Sequence, residues 1–244
     1  MKGDILLEVE GLAKRFGGVQ AVVDLSFHVR EGEILGMIGP NGSGKTTTFN
    51  MITGFYPPDR GRVRFAGRDI TGLPPYEVCG CGICRTFQVA KPFHDLSVIR
   101  NVMMGTLLRH PDPALAETRA EEVLRVVGLA ERAHTQAGSL TTIDQRRLEV
   151  ARALGTAPRL LLLDETMAGL NPTEMAEAMR LIASLRDQGL TVIVVEHVMR
   201  AVMSLSDRIV VLDQGTKIAE GNPREISSDP RVIQAYLGAE YQRA

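Results

Sequence analysis

Residues 39–46 read GPNGSGKT, and this stretch decides the fold. It matches the pattern G-x-x-x-x-G-K-[ST], in which glycines let the backbone wrap closely around phosphates and a lysine reaches the β and γ phosphates. A strand-like run at residues 33–38 precedes it, and a helical pattern from about residue 44 to residue 53 follows it. Because the exposed N–H groups of a helix N-terminus attract anions, this strand, loop, helix order predicts a nucleotide site.

A second signal is the apolar run at residues 160–163, which ends in the adjacent carboxylates of Asp164 and Glu165. Successive leucines are typical of a parallel strand that is buried on both faces. Ligands bind at the carboxyl ends of such strands, so we expect both acids beside the phosphate loop. We interpret Asp164 as the partner of a Mg²⁺ ion and Glu165 as the general base that activates or orients a water molecule.

The 244 residues carry 28 Lys and Arg against 29 Asp and Glu, a formal net charge of -1. This balance gives no general attraction to nucleic acid, so we expect no nucleic acid partner. The longest apolar runs, at residues 160–163 and 190–195, are far shorter than the about 20 residues that span a bilayer. Asp4 and Glu8 interrupt the stretch where a signal peptide would be apolar. We therefore expect a cytoplasmic protein that reaches a membrane only through a partner.

Cys79, Cys81 and Cys84 are odd in number and closely spaced, which disfavours a disulfide framework and predicts reduced thiols. Their C-x-C-x-x-C spacing would suit a soft metal, but a closed tetrahedral site needs a fourth ligand, and distant His94 is the obvious candidate. The alternative is that these small residues fill a junction between elements. The sequence leaves the role of the cysteines open.

The rest of the chain alternates strands and helices by pattern. Short apolar runs at 159–163 and 191–195 suit buried parallel strands, and Asn171, Pro172 and Glu174 begin a helix that Gly189 ends. Residues 97–155 are mostly helical by pattern, which predicts an inserted helical lobe. Short strands at 208–212 and 216–219 and a helical stretch at 230–237 follow. The whole pattern predicts an α/β fold with one helical insertion.

Several motifs follow one another in a characteristic order along nearly the whole chain. The phosphate loop is followed by RTFQ at 85–88, the helical lobe, QRRLE at 145–149, LDE at 163–165 and VEH at 195–197. This order resembles the ATP-binding cassette of ABC transporters. The resemblance implies an α/β phosphate-loop (P-loop) NTPase with a mixed central sheet, a small antiparallel β portion and an inserted helical lobe. It implies an ATP-binding core at residues 1–95 and 156–222, a helical subdomain at 96–155 and a C-terminal helical tail at 223–244.

The resemblance also implies roles for individual residues, with ATP and Mg²⁺ as the bound species. Phe16, about 29 positions before Lys45, would stack on the adenine, a contact that any aromatic face can make. Gln88 would contact Mg²⁺ or the attacking water, and His197 would contact the γ phosphate and hold the base and water in position. The implied catalytic residues are Glu165, His197 and Gln88, and the implied Mg²⁺ ligands are Thr46, Gln88 and Asp164. The implied nucleotide-binding residues are Phe16, Gly39, Pro40, Asn41, Gly42, Ser43, Gly44, Lys45, Thr46 and Thr47.

One motif departs from the family pattern. Where the family carries LSGGQ, residues 140–144 read LTTID, so Thr141 keeps a hydroxyl while Ile143 and Asp144 replace residues that approach a phosphate. A β-branched side chain and a negative charge should both weaken contact with an anion. In the family two cassettes meet head to tail, and this signature segment (Thr141, Thr142, Ile143 and Asp144) contacts the ATP of the partner. We therefore expect a different cassette as the partner, with a homodimer of two weakened sites as the alternative.

Further stretches resemble the cassettes that energise the import of branched-chain amino acids, among them GICRTFQ at 82–88, AGLNPTE at 168–174 and PRVIQAYLG at 230–238. The resemblance implies an ATPase that binds integral membrane permease subunits on the inner face of the cell membrane and does not touch the transported substrate. Cassettes of urea or amide importers and of lipopolysaccharide-type exporters share much of this sequence and stay open as alternatives. A poorly hydrolysing regulatory cassette is a further alternative, because of the altered signature segment.

Overall fold

The computed structural model describes residues 3–86 and 91–241. The described strands are β1 (Ile5–Phe16), β2 (Val19–Arg30), β3 (Ile34–Ile38), β4 (Arg60–Phe65), β5 (Arg68–Asp69), β6 (Ile83–Arg85), β7 (Leu160–Asp164), β8 (Thr191–Val195), β9 (Arg208–Asp213) and β10 (Thr216–Gly221). The described α-helices are α1 (Lys45–Ile52), α2 (Pro75–Cys81), α3 (Val98–Thr106), α4 (Pro113–Val126), α5 (Thr142–Gly155), α6 (Pro172–Asp187), α7 (Met199–Leu205), α8 (Pro223–Ser228) and α9 (Pro230–Tyr241).

The central sheet has the strand order β10-β9-β3-β8-β7-β6. Strand β10 runs antiparallel to β9, and the other neighbours run parallel. Every residue of β3, β7 and β8 is buried, which explains why these strands are continuously apolar in sequence. The sheet is mixed, as the resemblance implies, and the carboxyl ends of β3, β7 and β8 lie at the same edge.

The second sheet is antiparallel and has the order β2-β1-β4-β5. Leu7 and Phe27 of this sheet, Phe49 of α1, and Leu35 and Val195 of the central sheet belong to one buried cluster. The two sheets and α1 therefore enclose a common core. This packing holds α1, the helix that follows the phosphate loop, against both sheets.

The helices α3, α4 and α5 pack on one another and on the other face of the central sheet. Leu124 of α4 and Leu148 of α5 share a buried cluster with Leu161 of β7, whereas Leu160 belongs to the cluster between the sheets. Because successive side chains of a strand point to opposite faces, β7 contributes to both cores. The exact domain bounds, with a core at 1–95 and 156–222, a lobe at 96–155 and a tail at 223–244, stay a prediction.

The structure confirms the predicted strands that became β3, β7, β8, β9 and β10, and the helix that begins after Asn171. That residue accepts hydrogen bonds from the N–H groups of Thr173 and Glu174, which completes a capping box. Strand β1 was not identified from the sequence. It shows several register shifts against β2, and such shifts disturb the alternation of apolar and polar residues by which a strand is recognised. Of the helices in the described part of the chain, none is long and apolar enough to cross a membrane.

Candidate nucleotide site

The phosphate loop lies at the edge of the central sheet where β3, β7 and β8 end. Residues 39–47 line a cavity of about 1380 Å³ together with Glu165, which follows β7, and His197, which comes shortly after β8. The fold thus brings the loop, the second of the paired acids and the histidine of VEH to one place. This position is the one expected for a ligand site in an α/β sheet.

Two glycines allow the loop to follow this path. Gly44, directly before α1, has a φ of +102, and a side-chain carbon added there would lie 2.6 Å from the carbonyl oxygen of Ala21. At Gly39, with a φ of +154, an added carbon would lie 2.1 Å from the carbonyl oxygen of Leu212. Only glycine fits at either place. Helix α1 therefore begins at the wall of the cavity, where its N-terminal N–H groups can attract a phosphate.

The ammonium group of Lys45 lies inside the loop. It donates hydrogen bonds to the carbonyl oxygens of Gly39 and Pro40, at 2.8 and 2.9 Å, and to the hydroxyl of Ser43 at 3.3 Å. Only 5% of Lys45 is exposed. This burial lowers the pKa of Lys45, and two nearby carboxylates oppose the shift. Neutral oxygens thus hold the cation at a point where the charged oxygens of a phosphate would bind it more strongly.

The carboxylate of Asp164, at the end of β7, is buried. Its Oδ2 accepts a hydrogen bond from Nη2 of Arg85 at 3.0 Å, and its backbone N–H donates to the hydroxyl of Thr86 at 3.3 Å. Burial raises the pKa of Asp164, and the guanidinium opposes this rise. Thr46 and Asp164 line one cavity of about 730 Å³. A hydroxyl and a carboxylate are the hard oxygen donors that Mg²⁺ prefers, so these residues fit the expected ion.

Glu165 follows β7 with a φ of +51. Its backbone N–H donates to the carbonyl oxygen of Val195 at 2.9 Å, and its Oε1 lies within hydrogen-bonding distance of His197 Nε2. Few non-glycine residues adopt this backbone region, and those that do cluster at active sites. The Glu165 side chain is 14% exposed and that of His197 is 42% exposed. Both side chains are therefore accessible from the phosphate-loop cavity.

Glu196, between β8 and His197, is a buried acid that the sequence analysis did not single out. It is 1% exposed, and its Oε1 accepts a hydrogen bond from the backbone N–H of Met167 at 2.7 Å. Its Oε2 is buried and has no hydrogen-bond partner among the described residues. Burial raises the pKa of Glu196 to about 7. The sequence feature that could have identified Glu196 is its position directly after the apolar run at residues 191–195.

Tyr236, on the C-terminal helix α9, is a second residue that the sequence analysis missed. It lines the phosphate-loop cavity, and its hydroxyl lies near the backbone of Gly39. Burial raises the pKa of Tyr236 to about 12. Its side chain packs against the buried cluster that contains Ile38 and Val202. The predicted C-terminal tail thus contacts the start of the phosphate loop, which no local pattern in the sequence indicates.

One predicted contact to the nucleotide, Phe16, is not among the described residues that line this cavity. Phe16, at the end of β1, packs edge-on against Tyr56 with the ring centroids 5.3 Å apart. Phe16 is 42% exposed. Its stacking on adenine stays a prediction. Gln88 lies outside the described residues.

The three cysteines are free thiols in the structure. Cys84 lines the same cavity as Thr46 and Asp164, and Cys81 Sγ lies 3.4 Å from Nη1 of Arg68. Within residues 3–86 and 91–241, no group of three or more His, Cys, Asp or Glu side chains is arranged to hold a metal ion.

The altered signature segment begins α5, where Thr141 is the N-cap. The Thr141 hydroxyl accepts a hydrogen bond from the N–H of Asp144 at 3.2 Å and donates to Asp144 Oδ2 at 3.0 Å. Asp144 also pairs with Arg132 at 3.2 Å and with Arg147 at 3.8 Å. Ile143 lines a groove between α5 and α6. The charge of Asp144 is therefore compensated within the lobe, which the sequence analysis did not foresee, and the Thr141 hydroxyl is engaged by its own helix.

Two protein families match the chain. The family described as "ABC transporter" matches residues 22–168, which include the phosphate loop, the signature segment and the paired acids. The family described as "Branched-chain amino acid ATP-binding cassette transporter" matches residues 216–242, a stretch that contains Tyr236.

Similar proteins align over nearly the whole chain. The high-affinity branched-chain amino acid transport ATP-binding protein LivG of Salmonella typhimurium is 45% identical over 96% of this chain and 98% of that protein. The protein BraF of Pseudomonas aeruginosa, named for the same transport, is 43% identical with the same coverage. The lipopolysaccharide export system ATP-binding protein LptB of Acidithiobacillus ferridurans is 38% identical over 97% of this chain and 98% of that protein.

Solved structures agree with the fold. The ADP conformation of an ATP-binding cassette of an ABC transporter superposes with a TM-score of 0.88 at 32% identity, over 96% of this chain and 99% of that chain. A dimeric ATP-binding cassette in a post-hydrolysis state, bound to ADP and Pi, superposes with a TM-score of 0.81 at 25% identity, over 90% of this chain and 99% of that chain.

Replacing Glu196 with Gln should change how stability depends on pH. The folded-state pKa of Glu196, about 7, lies above that of the unfolded chain. Its contribution to stability is therefore fully present below the unfolded pKa and is lost as the pH rises through 7. Between pH 5 and pH 8.5 this loss should lower the free energy of unfolding by roughly 2 to 3 kcal/mol. The Glu196→Gln variant should lack this decline.

Urea unfolding of the nucleotide-free protein at the two pH values measures the effect. The exposed Glu117 of α4 provides the control, because Glu117→Gln should keep the pH dependence of the wild type. A Glu196→Gln variant that loses as much stability as the wild type between pH 5 and pH 8.5 would show that the Glu196 carboxyl does not titrate as assigned.

Proposed function

The chain belongs to the family of ABC transporter ATP-binding cassettes, and we propose that it hydrolyses ATP to power a membrane importer of branched-chain amino acids. The observation that carries the proposal is the meeting of the phosphate loop, Glu165 and His197 at one cavity. The buried ammonium of Lys45 and the nearby carboxylate of Asp164 supply the charges that a nucleotide and its divalent cation require.

In the proposed reaction the loop and Lys45 bind the β and γ phosphates of ATP. Glu165 accepts a proton from the water whose oxygen attacks the γ phosphorus. The bond between that phosphorus and the bridging oxygen breaks, and ADP leaves with the bonding electrons. His197, whose Nε2 lies beside Glu165 Oε1, holds the base and the water in position.

We assign Thr46, Asp164 and Gln88 as the residues that would hold Mg²⁺. When bound, Mg²⁺ supplies positive charge next to the phosphate oxygens on which negative charge accumulates. Thr46 lies in the first turn of α1, and Asp164 is the last residue of β7. Both residues line the same cavity. Thr46 and Asp164 would therefore act from two elements, α1 and β7, that share a buried core.

The proposed substrate class rests on the relatives and on the C-terminal segment. Proteins named for branched-chain amino acid transport are 43% to 45% identical to this chain, against 38% for the lipopolysaccharide export protein. Residues 216–242 also match the family described for branched-chain amino acids. In the proposed assembly the cassette docks on permease subunits at the cytoplasmic face of the membrane. Those subunits, and not the cassette, contact the amino acid.

We propose further that the second cassette of the assembly is a different chain. A head-to-tail pair places the signature segment of this chain against the ATP of its partner. Two features of that segment disfavour contact with phosphate, namely the β-branched Ile143 and the engagement of the Thr141 hydroxyl by Asp144. The site built on Lys45 would then be completed by an intact signature from the partner, and the opposite site would hydrolyse poorly.

Restoring the signature should therefore activate the isolated chain. The double substitution Ile143→Gly with Asp144→Gln removes the branched side chain and the carboxylate to which the Thr141 hydroxyl donates. We expect the wild-type chain alone to be nearly silent in steady-state ATP hydrolysis, and the restored chain to turn over with second-order dependence on protein concentration. If the wild-type chain alone is already active with that dependence, the altered segment is tolerated and a homodimer is the correct assembly.

Replacing Glu165 with Gln tests the assignment of the general base. In the restored chain, Glu165→Gln should retain ATP affinity within about twofold and lose at least about 100-fold in turnover, since proton transfer contributes that much or more. It should also accumulate as an ATP-bound dimer in size-exclusion chromatography. Normal turnover by Glu165→Gln would rule out Glu165 as the base.

A further inference from the structure

Arg85 lies at the end of β6 and is buried beside the expected magnesium site. Its side chain is 7% exposed, and that of Asp164 is 4% exposed. One arm of the guanidinium, Nη2, contacts Asp164 Oδ2 at 3.0 Å, and the other arm, Nη1, donates to Asn50 Oδ1 at 2.5 Å. The ring of Phe55 lies 5.5 Å from the guanidinium carbon. The phosphate-loop mechanism described above does not use this arginine.

The contact with Asn50 connects Arg85 to the helix that carries Thr46. Asn50 is four positions after Thr46 in α1, and residues with this spacing lie on the same face of a helix. Arg85 therefore bridges the face of α1 that carries one expected Mg²⁺ ligand and the strand end that carries the other. Thr46, Arg85 and Asp164 all line the same cavity of about 730 Å³.

The geometry of this bridge suits positioning rather than simple charge neutralisation. A guanidinium is planar and rigid, so its two arms fix Asp164 and Asn50 relative to each other, which the single ammonium of a lysine cannot do. The contact with Asp164 is made to one oxygen, Oδ2. Among the described residues no hydrogen bond to the other carboxylate oxygen is found, so that oxygen could bind a cation. The hydroxyl of Thr86, the residue after β6, also accepts a hydrogen bond from the backbone N–H of Asp164. Arg85 and Thr86 therefore orient Asp164 at two points.

We propose that Arg85 is a positioning residue for the divalent cation of the nucleotide: it holds the Asp164 carboxylate at a fixed separation from the Thr46 face of α1. The inference rests on the proposed function, because it concerns the cation that accompanies ATP at the same site. Residues that orient metal ligands typically change metal affinity by about 10- to 100-fold when they are replaced. In the RTFQ motif, Arg85 would thus act on the cation site in addition to Gln88.

The test is the gain in ATP affinity that Mg²⁺ produces, measured by equilibrium binding of a fluorescent ATP analogue in EDTA and in excess Mg²⁺. For Arg85→Lys we expect affinity in EDTA within about twofold of the wild type, and a Mg²⁺-dependent gain that is about 10- to 100-fold smaller. Asn50→Ala leaves the Arg85 contact with Asp164 in place and removes the link to α1. It should reduce the gain in the same direction and by less, and it tests the bridge if Arg85→Lys does not fold.

Arg208→Lys is the matched control. Arg208 is also a partly buried arginine that pairs with a carboxylate, that of Glu33, at 2.8 Å. Glu33 directly precedes β3 and Arg208 is the first residue of β9, so this pair lies at the opposite edge of the sheet. Its variant should keep the wild-type gain.

An unchanged gain in both Arg85→Lys and Asn50→Ala would overturn the proposal. A larger gain in Arg85→Lys would overturn it too, because the guanidinium would then compete with the cation. A wild-type chain that fails to bind the ATP analogue at all would instead contradict the proposed function.

Discussion

The buried ammonium of Lys45 is the charge around which the nucleotide site is built. Removing a cation from water is unfavourable unless acceptors surround it, and here the carbonyl oxygens of Gly39 and Pro40 provide them. The loop can supply these oxygens because glycine permits the backbone path at Gly39 and Gly44. A polyphosphate would bring stronger, charged acceptors to a cation that is already in place. The site therefore holds a cation at the point where an anion would bind.

Three acidic side chains at this edge of the sheet are partly or fully buried, and each has a different contact partner. Asp164 contacts a guanidinium, Glu165 contacts His197, and Glu196 accepts a backbone N–H. The strands β7 and β8 are neighbours, so the Glu165 carboxylate lies close enough to add to the rise that burial produces in the pKa of Asp164 and in that of Glu196. Such a concentration of negative charge becomes favourable when a cation binds, which links the fold of the sheet edge to the proposed role of Mg²⁺.

Sequence patterns predicted the parts of the site whose chemistry is local. The phosphate loop, the paired acids after β7 and the capped start of α6 each occupy a few consecutive residues with a defined spacing. Contacts between distant segments escaped prediction, because nothing in the local sequence marks the pairing of Arg85 with Asn50 or of Tyr236 with Gly39. The charge of Asp144 illustrates the same limit, since its compensation by Arg132 depends on how the lobe folds. Strand β1 was missed because its register shifts disturb the alternating pattern.

Equilibrium binding of ATP to the wild type and to Lys45→Ala tests the central claim, that the buried ammonium is the anchor of the nucleotide. Hydrogen bonds to charged groups contribute about 1.5 to 3 kcal/mol each, so the variant should lose roughly 10- to 100-fold in affinity. The exposed Lys217 of β10 provides the control, and Lys217→Ala should bind as the wild type does. Affinity for ATP that is unchanged in Lys45→Ala would contradict the account.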